Sequence, residues 1–192
     1  MTTHYTHIST GVWQTAFDGD APKPLAGPGI SIAVRPPMPM ALVTAWPGTL
    51  SEVAAALEEQ SYTLPLAPGE AVMGEAGGVV HSMAPGRWLV ELADDRLPFL
   101  PAELGTITDL SHARTSFEFS GRDAVEFAQK LAPIDFSLPR NGPMRFVQSG
   151  SDHSTSFGLW RAAENRFILY VEQSFARDFW HTLEAECAEF RG

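Results

Sequence analysis

Apolar residues recur along this chain with two periods, and where the period changes the elements can be drawn. Ala41-Leu-Val-Thr-Ala-Trp46 reads as a strand, Pro47-Gly48 as a turn, and Thr49 to Glu58 as a helix, with Leu50, Val53, Ala54 and Leu57 on one face. Thr49 and Glu52 have the T-x-x-E spacing of a capping box. Further on, Thr115-Ser-Phe-Glu-Phe-Ser120 alternates and Gly121 breaks it. Ala124, Phe127, Ala128 and Leu131 then repeat the helical spacing, with Ser120 as the expected cap and Pro133 as the stop.

After each helix comes a matching hairpin. Val79 to Ala84, Pro85-Gly86 and Arg87 to Leu92 form the first, and Phe157 to Arg161, a turn at Ala163 to Asn165, and Arg166 to Val171 the second. Arg166-Phe-Ile-Leu-Tyr-Val171 is apolar on both alternating faces, which predicts a central strand buried on both sides. A closing helix is expected at Leu97 to Leu104, weakened by Pro98 and Pro101. A second spans Phe175 to Phe190, where Ala176, Phe179, Trp180, Leu183, Cys187 and Phe190 form a stripe and Ser174 is placed to cap. The fold class is therefore α+β, with two pseudo-repeated β-α-β-β-α units and antiparallel sheets covered by helices. Chance similarity between short amphipathic elements is the competing explanation of the repeat. The expected organisation is an arm at 1–29, a first unit at 30–105 and a second at 106–192, within one compact domain. The arm is extended and rich in Pro and Gly, since Asp18 to Gly29 offers little that could pack. Trp13 and Phe17 are its large apolar rings, and they fit an arm ordered against a partner as well as a frayed terminus.

Composition narrows the function classes. The chain has 192 residues, 44% of them hydrophobic, which is enough for a sizeable core. Its net charge of −10 opposes binding to nucleic acid or an anionic membrane. The lone Cys187 cannot form an internal disulfide, Met1 to Thr15 lacks the apolar run of a secretory leader, and no stretch is long enough to span a membrane. Together these point to the cytoplasm.

The search for chemistry returns little. Histidines at 4, 7, 81, 112, 153 and 181 do not pair at helical spacing, and one cysteine beside them does not supply a zinc site. Gly27-Pro-Gly29 and Gly74-Glu-Ala-Gly-Gly78 lack the context of a phosphate cradle and read as turns. There is no G-x-S-x-G elbow, and Cys187 lies on the apolar stripe of its helix. No catalytic, cofactor-binding or metal residue is assigned. The most distinctive string is Thr108-Asp-Leu-Ser-His-Ala-Arg114. Asp109, Ser111, His112 and Arg114 are its candidate contact residues, in one of two roles: a turn in which side-chain oxygens bond nearby backbone N–H groups, or a ligand or subunit contact.

That string, continued through Gly121-Arg-Asp-Ala124 to Asp135-Phe136, resembles the gamma subunit of heterotetrameric sarcosine oxidase. Pro85-Gly-Arg-Trp-Leu89 and Tyr170-Val-Glu-Gln-Ser-Phe-Ala-Arg-Asp-Phe-Trp180 are similar to further landmarks of that family, so the likeness spans residues 80 to 185. The Asp109-Leu-Ser-His112 start is also similar to the aminomethyltransferase of the glycine cleavage system, which implies a folate-binding-like fold. The resemblance implies an accessory chain without catalytic residues, inside a complex that oxidatively demethylates sarcosine. The one-carbon unit then passes to tetrahydrofolate or leaves as formaldehyde. The implied partners are a large alpha-type subunit with FAD, NAD and a folate domain, a beta-type subunit with FAD and FMN, and a small zinc-binding delta-type subunit. The family commonly has Cys-Pro-Ile-Asp-Leu where this chain has Ala132-Pro-Ile-Asp-Phe136, and the loop Leu138 to Ser149 also departs from its usual form. A related N-methyl amino acid dehydrogenase, such as N-methylglutamate dehydrogenase, therefore stays open, as do a stand-alone aminomethyltransferase-like protein and an assembly factor.

Overall fold

In the computed structural model, residues 16–17, 21–74, 78–94, 96–132, 134–136, 144–150 and 156–191 are described; for 144–146, 149–150, 156–157 and 191 this covers the backbone alone. The strands are β1 Leu25–Ala26, β2 Ser31–Val34, β3 Met40–Ala45, β4 Glu70–Met73, β5 Val79–Ala84, β6 Arg87–Glu91, β7 Gly105–Asp109, β8 Arg114–Ser120, β9 Met144–Gly150, β10 Ser156–Ala163 and β11 Arg166–Glu172. The helices are α1 Leu50–Glu58, α2 Ala124–Leu131 and α3 Ala176–Ala188, with 3-10 turns at Gln173–Phe175 and Glu189–Arg191 flanking α3. The fold is α+β with antiparallel sheets covered by helices, as the periodicity predicts, with α1, α2 and α3 described where two β-α-β-β-α units would give four helices.

The chain divides into two compact units. Among the described residues, the first holds the segment 38–112 together with 144–146, the start of β9, with strand order β9-β4-β5-β6-β3-β7. One face of its sheet places Ala41, Val43, Val80, Trp88 and Val90 under Val53 and Leu57 of α1. The Trp88 indole N–H is satisfied by the Pro65 carbonyl at 2.8 Å, so a ring that large can be buried without an orphaned donor. Among the described residues, the second unit holds those of 16–37, 113–136 and 147–191, with strand order β10-β11-β8-β2-β1. Here α2 and α3 cover Ile32, Phe117, Phe119, Leu159, Phe167, Leu169 and Val171. The Phe119 and Phe167 rings stack at 5.1 Å, and Phe117 stacks on Trp180 of α3 at 5.8 Å. Strand β11 is paired on both edges, and Phe167 to Val171 are all buried.

The internal repeat is more regular than the sequence pattern alone suggests. Leu50 and Ala124 begin the first helices of the two units, and Glu70 and Met144 begin the strands after them. Both pairs are 74 positions apart, whereas Arg87 and Arg166, which begin the last hairpin strands, are 79 apart. The insertion therefore lies between β9 and β11. Both hairpins also carry a register shift just before the turn, between Ser82 and Ala84 and between Arg161 and Ala163. A one-residue bulge at the same place in each is hard to ascribe to chance.

Several expectations are corrected. The unit boundary falls after His112 and not after residue 105, because β7 pairs with β3 along Ala41 to Ala45. Residues 30–37 belong to the second unit, because β2 pairs with β8. The described part of the N-terminal arm is not a projecting strap. Leu25 is buried and in register with Ile32, and Gly27-Pro-Gly-Ile30 makes the hairpin turn through a Gly27 N–H bond to the Ile30 carbonyl. No helix forms at 97–104, where Pro98 and Pro101 remove helical donors. The three anticipated caps also differ. Thr49 is the N-cap of α1, but its hydroxyl is directed at the Trp46 and Leu104 carbonyls and makes no capping bond. Asp123, not Ser120, precedes α2, and Phe175, not Ser174, precedes α3. Strands β1, β2, β4, β7 and β9 were not evident in the sequence; β4 is a four-residue strand between glycines and β7 a polar edge.

Candidate functional site

The string from Asp109 to Arg114 is a junction anchored at both ends by different means. On the first unit, the Asp109 Oδ1 accepts the Ser111 N–H at 2.9 Å, a local side-chain turn of the kind its composition suggests. Ser111 then reaches across the sheet, its hydroxyl accepting the Met40 N–H at 3.0 Å while lying 3.4 Å from the Met40 carbonyl. That carbonyl also receives the Leu110 N–H. Ser111 is buried, and its hydroxyl fixes the first residue of β3. His112 and Ala113 are exposed.

On the second unit, the Gln173 N–H donates to the Ala113 carbonyl, and Thr115 Oγ1 donates to the Gln173 side-chain carbonyl at 2.8 Å. Arg114 is half-buried, its guanidinium 3.9 Å from Glu172. These contacts tie the start of β8 to the end of β11, just ahead of α3. Phe17, at the other end of the sequence, meets the Phe117 ring edge-on at 6.5 Å and packs on the core of this unit. Trp13 lies outside the described residues, as do His4, His7, His153 and positions 138–143 of the variant loop, whereas positions 144–149 of that expected loop are strand β9.

The candidate residues thus divide between the units: Asp109, Ser111 and His112 belong to the first, Arg114 and Phe17 to the second. Among the described residues, no group of three His, Cys, Asp or Glu side chains could hold a metal ion. No helix in the described residues is long and apolar enough to cross a membrane. Cys187 is buried in the aromatic core.

Three features escaped the sequence reading. His81 and Glu91 are buried on the sheet face opposite α1, although both sit in strands whose alternation is otherwise apolar. Lys130 of α2 bridges Glu186 of α3 at 2.5 Å and Glu189 at 2.7 Å, and these carboxylates hold its ammonium above the ordinary lysine range, Glu186 most strongly. Tyr62 is pushed up by burial first and by the Asp94 carboxylate second, while Arg96, bonded to Asp94, holds that carboxyl below its usual range. Only the α2–α3 pair had a signal in sequence, as charges flanking two apolar stripes.

Comparison with solved structures gives the decisive likeness. A chain of "Heterotetrameric Sarcosine Oxidase from Corynebacterium sp. U-96 in complex with pyrrole 2-carboxylate" superposes with a TM-score of 0.73 at 23% identity, covering 88% of this chain and 89% of that one. The two chains share one fold. Because both are covered almost end to end, the likeness includes both units and not a single hairpin-helix motif. No family model and no curated protein matches the chain.

Proposed function

We propose that this chain is an accessory, non-catalytic small subunit of a sarcosine-oxidase-type flavoenzyme complex. In this reading the complex oxidatively demethylates sarcosine in the cytoplasm and passes the one-carbon unit to tetrahydrofolate or releases it as formaldehyde. The observation that carries the reading is the fold shared with a chain of a heterotetrameric sarcosine oxidase over 88% of this sequence. The use of the most distinctive string supports it: Asp109 and Ser111 are engaged in a turn and in fixing β3, which is architectural work. FAD, FMN, NAD and tetrahydrofolate are assigned to the larger alpha-type and beta-type partners, with a small zinc-binding delta-type chain completing the assembly.

The test is to purify the complex through a tag on this chain from its native host and add substrate without oxygen. Loss of flavin absorbance on adding sarcosine is expected. Loss with N-methylglutamate but not with sarcosine would move the subunit to a related dehydrogenase. In parallel, titration of the isolated chain with tetrahydrofolate should give no saturable heat. Micromolar binding would instead favour a stand-alone aminomethyltransferase-like role.

A further inference from the structure

Three of the six large apolar side chains exposed among the described residues lie along α1 and the segment beside it, Trp46 and Leu50 at the start of the helix and Phe99 beside Gln60 past its end. Trp46 is 42% exposed, Leu50 40% and Phe99 63%. Trp46 and Phe99 are joined by the segment 97–104, which forms a non-helical strap bonded to both ends of α1. At one end, the Gln60 side-chain amide clamps the Phe99 backbone, accepting its N–H at 2.8 Å and donating to its carbonyl at 2.9 Å. At the other, the Trp46 indole donates to the Ala102 carbonyl at 2.8 Å and Thr49 donates to the Leu104 carbonyl at 2.6 Å. Leu97, Leu100 and Leu104 pack down onto the core of the unit, while Phe99 projects outward. Side-chain hydrogen bonds at both ends thus fix a strap that holds an aromatic ring in water, which folding alone does not require.

Charge selects the occupant. Residues 46–60 and 97–104 contain Glu52, Glu58, Glu59 and Glu103 and no Lys or Arg. All four glutamates are exposed, and Arg96, just before the strap, is paired with Asp94. A second copy of this chain would press acidic rim on acidic rim, adding to the repulsion between bodies of net charge −10. A partner with an apolar socket ringed by lysine or arginine would complement both parts. We infer that the strap and the exposed end of α1 dock onto a flavin-carrying partner subunit, with Phe99 and Leu50 as the anchors inserted into a basic-rimmed socket. This rests on the proposed subunit role and names the surface through which it acts. The clamps at Gln60 and Trp46 pre-order the strap, so little conformational entropy is lost on docking.

The experiment is capture of flavin-bearing chains from the native host by the tagged full-length protein, comparing the natural sequence with Phe99→Glu and Leu50→Glu. Leu66→Glu and Phe175→Glu are controls, exposed apolar positions off the strap. Circular dichroism and melting of each purified variant verify that it folds. Capture of flavin, read by its absorbance and by the masses of the captured chains, should fall at least about tenfold for the two strap variants. It should stay unchanged for the controls, and rising salt should weaken it. Undiminished capture by folded Phe99→Glu and Leu50→Glu would overturn the docking surface while leaving the subunit role standing. Failure of the natural sequence to capture any flavoprotein would overturn both. Dimerisation of the natural chain that Phe99→Glu abolishes would overturn the choice of partner.

Discussion

Gly121 has φ +135°, and a Cβ built there would lie 2.2 Å from the Gly29 carbonyl oxygen. The same crossing is closed by the Asp123 N–H bond to that oxygen and by the Gly121 N–H bond to Asn165. Because the obstacle is backbone, Gly121→Ala should cost about 2–4 kcal/mol, seen as a lower urea midpoint. Ser61 is the opposite case, a non-glycine held at φ +67° after α1. The Tyr62 N–H reaches back to the Leu57 carbonyl and the Ser61 N–H to Glu58, the bonds of a left-handed helix terminus. Ser61→Gly should therefore raise stability by about 0.5–1 kcal/mol, read as a higher urea midpoint. Ser111→Ala leaves the Met40 N–H buried without its acceptor and should cost about 1–3 kcal/mol. If Ser111→Ala instead left stability unchanged, the anchoring role given to this hydroxyl would fail. At this scale the sequence was legible where partners are neighbours. The Asp109 turn could be read because its bond spans two residues, whereas the Ser111 bond to Met40 crosses 71 and left no local trace.

At the scale of elements, the ion pairs of Lys130 with Glu186 and Glu189 join α2 to α3. Because those carboxylates raise the Lys130 pKa, its contribution is fully present below the unfolded lysine value near 10.5 and is lost as pH rises through the higher folded one. Melting of the natural chain and of Lys130→Met should therefore differ at neutral pH and converge in strongly alkaline buffer. A difference that persists there would mean the lysine acts through packing of its stem and not its charge. Helices and hairpins were legible because their periods are carried by consecutive residues. The caps were not, because tertiary partners outcompeted local ones: the Thr49 hydroxyl serves Leu104, 55 positions away, in place of its own helix. Strand β7 was missed for a related reason, since an edge strand such as Gly-Thr-Ile-Thr-Asp need not alternate strongly to pair with β3.

For the whole molecule, the repeated 74-residue spacing and the matched hairpin bulges describe one unit used twice; the sequence pattern anticipated the repeat but not the bulges. The third helix breaks the symmetry. Pro98 and Pro101 turn its first-unit counterpart into the strap, and with that change an aromatic ring is left exposed where a helix would have formed. At the candidate string, the turn role offered for Asp109 is the one with a local signal, while the bond of Ser111 to β3 had none, and nothing in the sequence marked Trp46 or Phe99 as exposed. Exposure of an apolar residue is a property of the fold and cannot be seen in a string of letters. A chain that works as one small subunit among larger flavin-bearing chains must stay with them when they are isolated intact. Native mass spectrometry of the assembly captured through this chain measures that. The expected result is this 20.9 kDa chain in fixed stoichiometry with larger flavin-containing subunits, and a species containing this chain alone, as monomer or homo-oligomer, would contradict it.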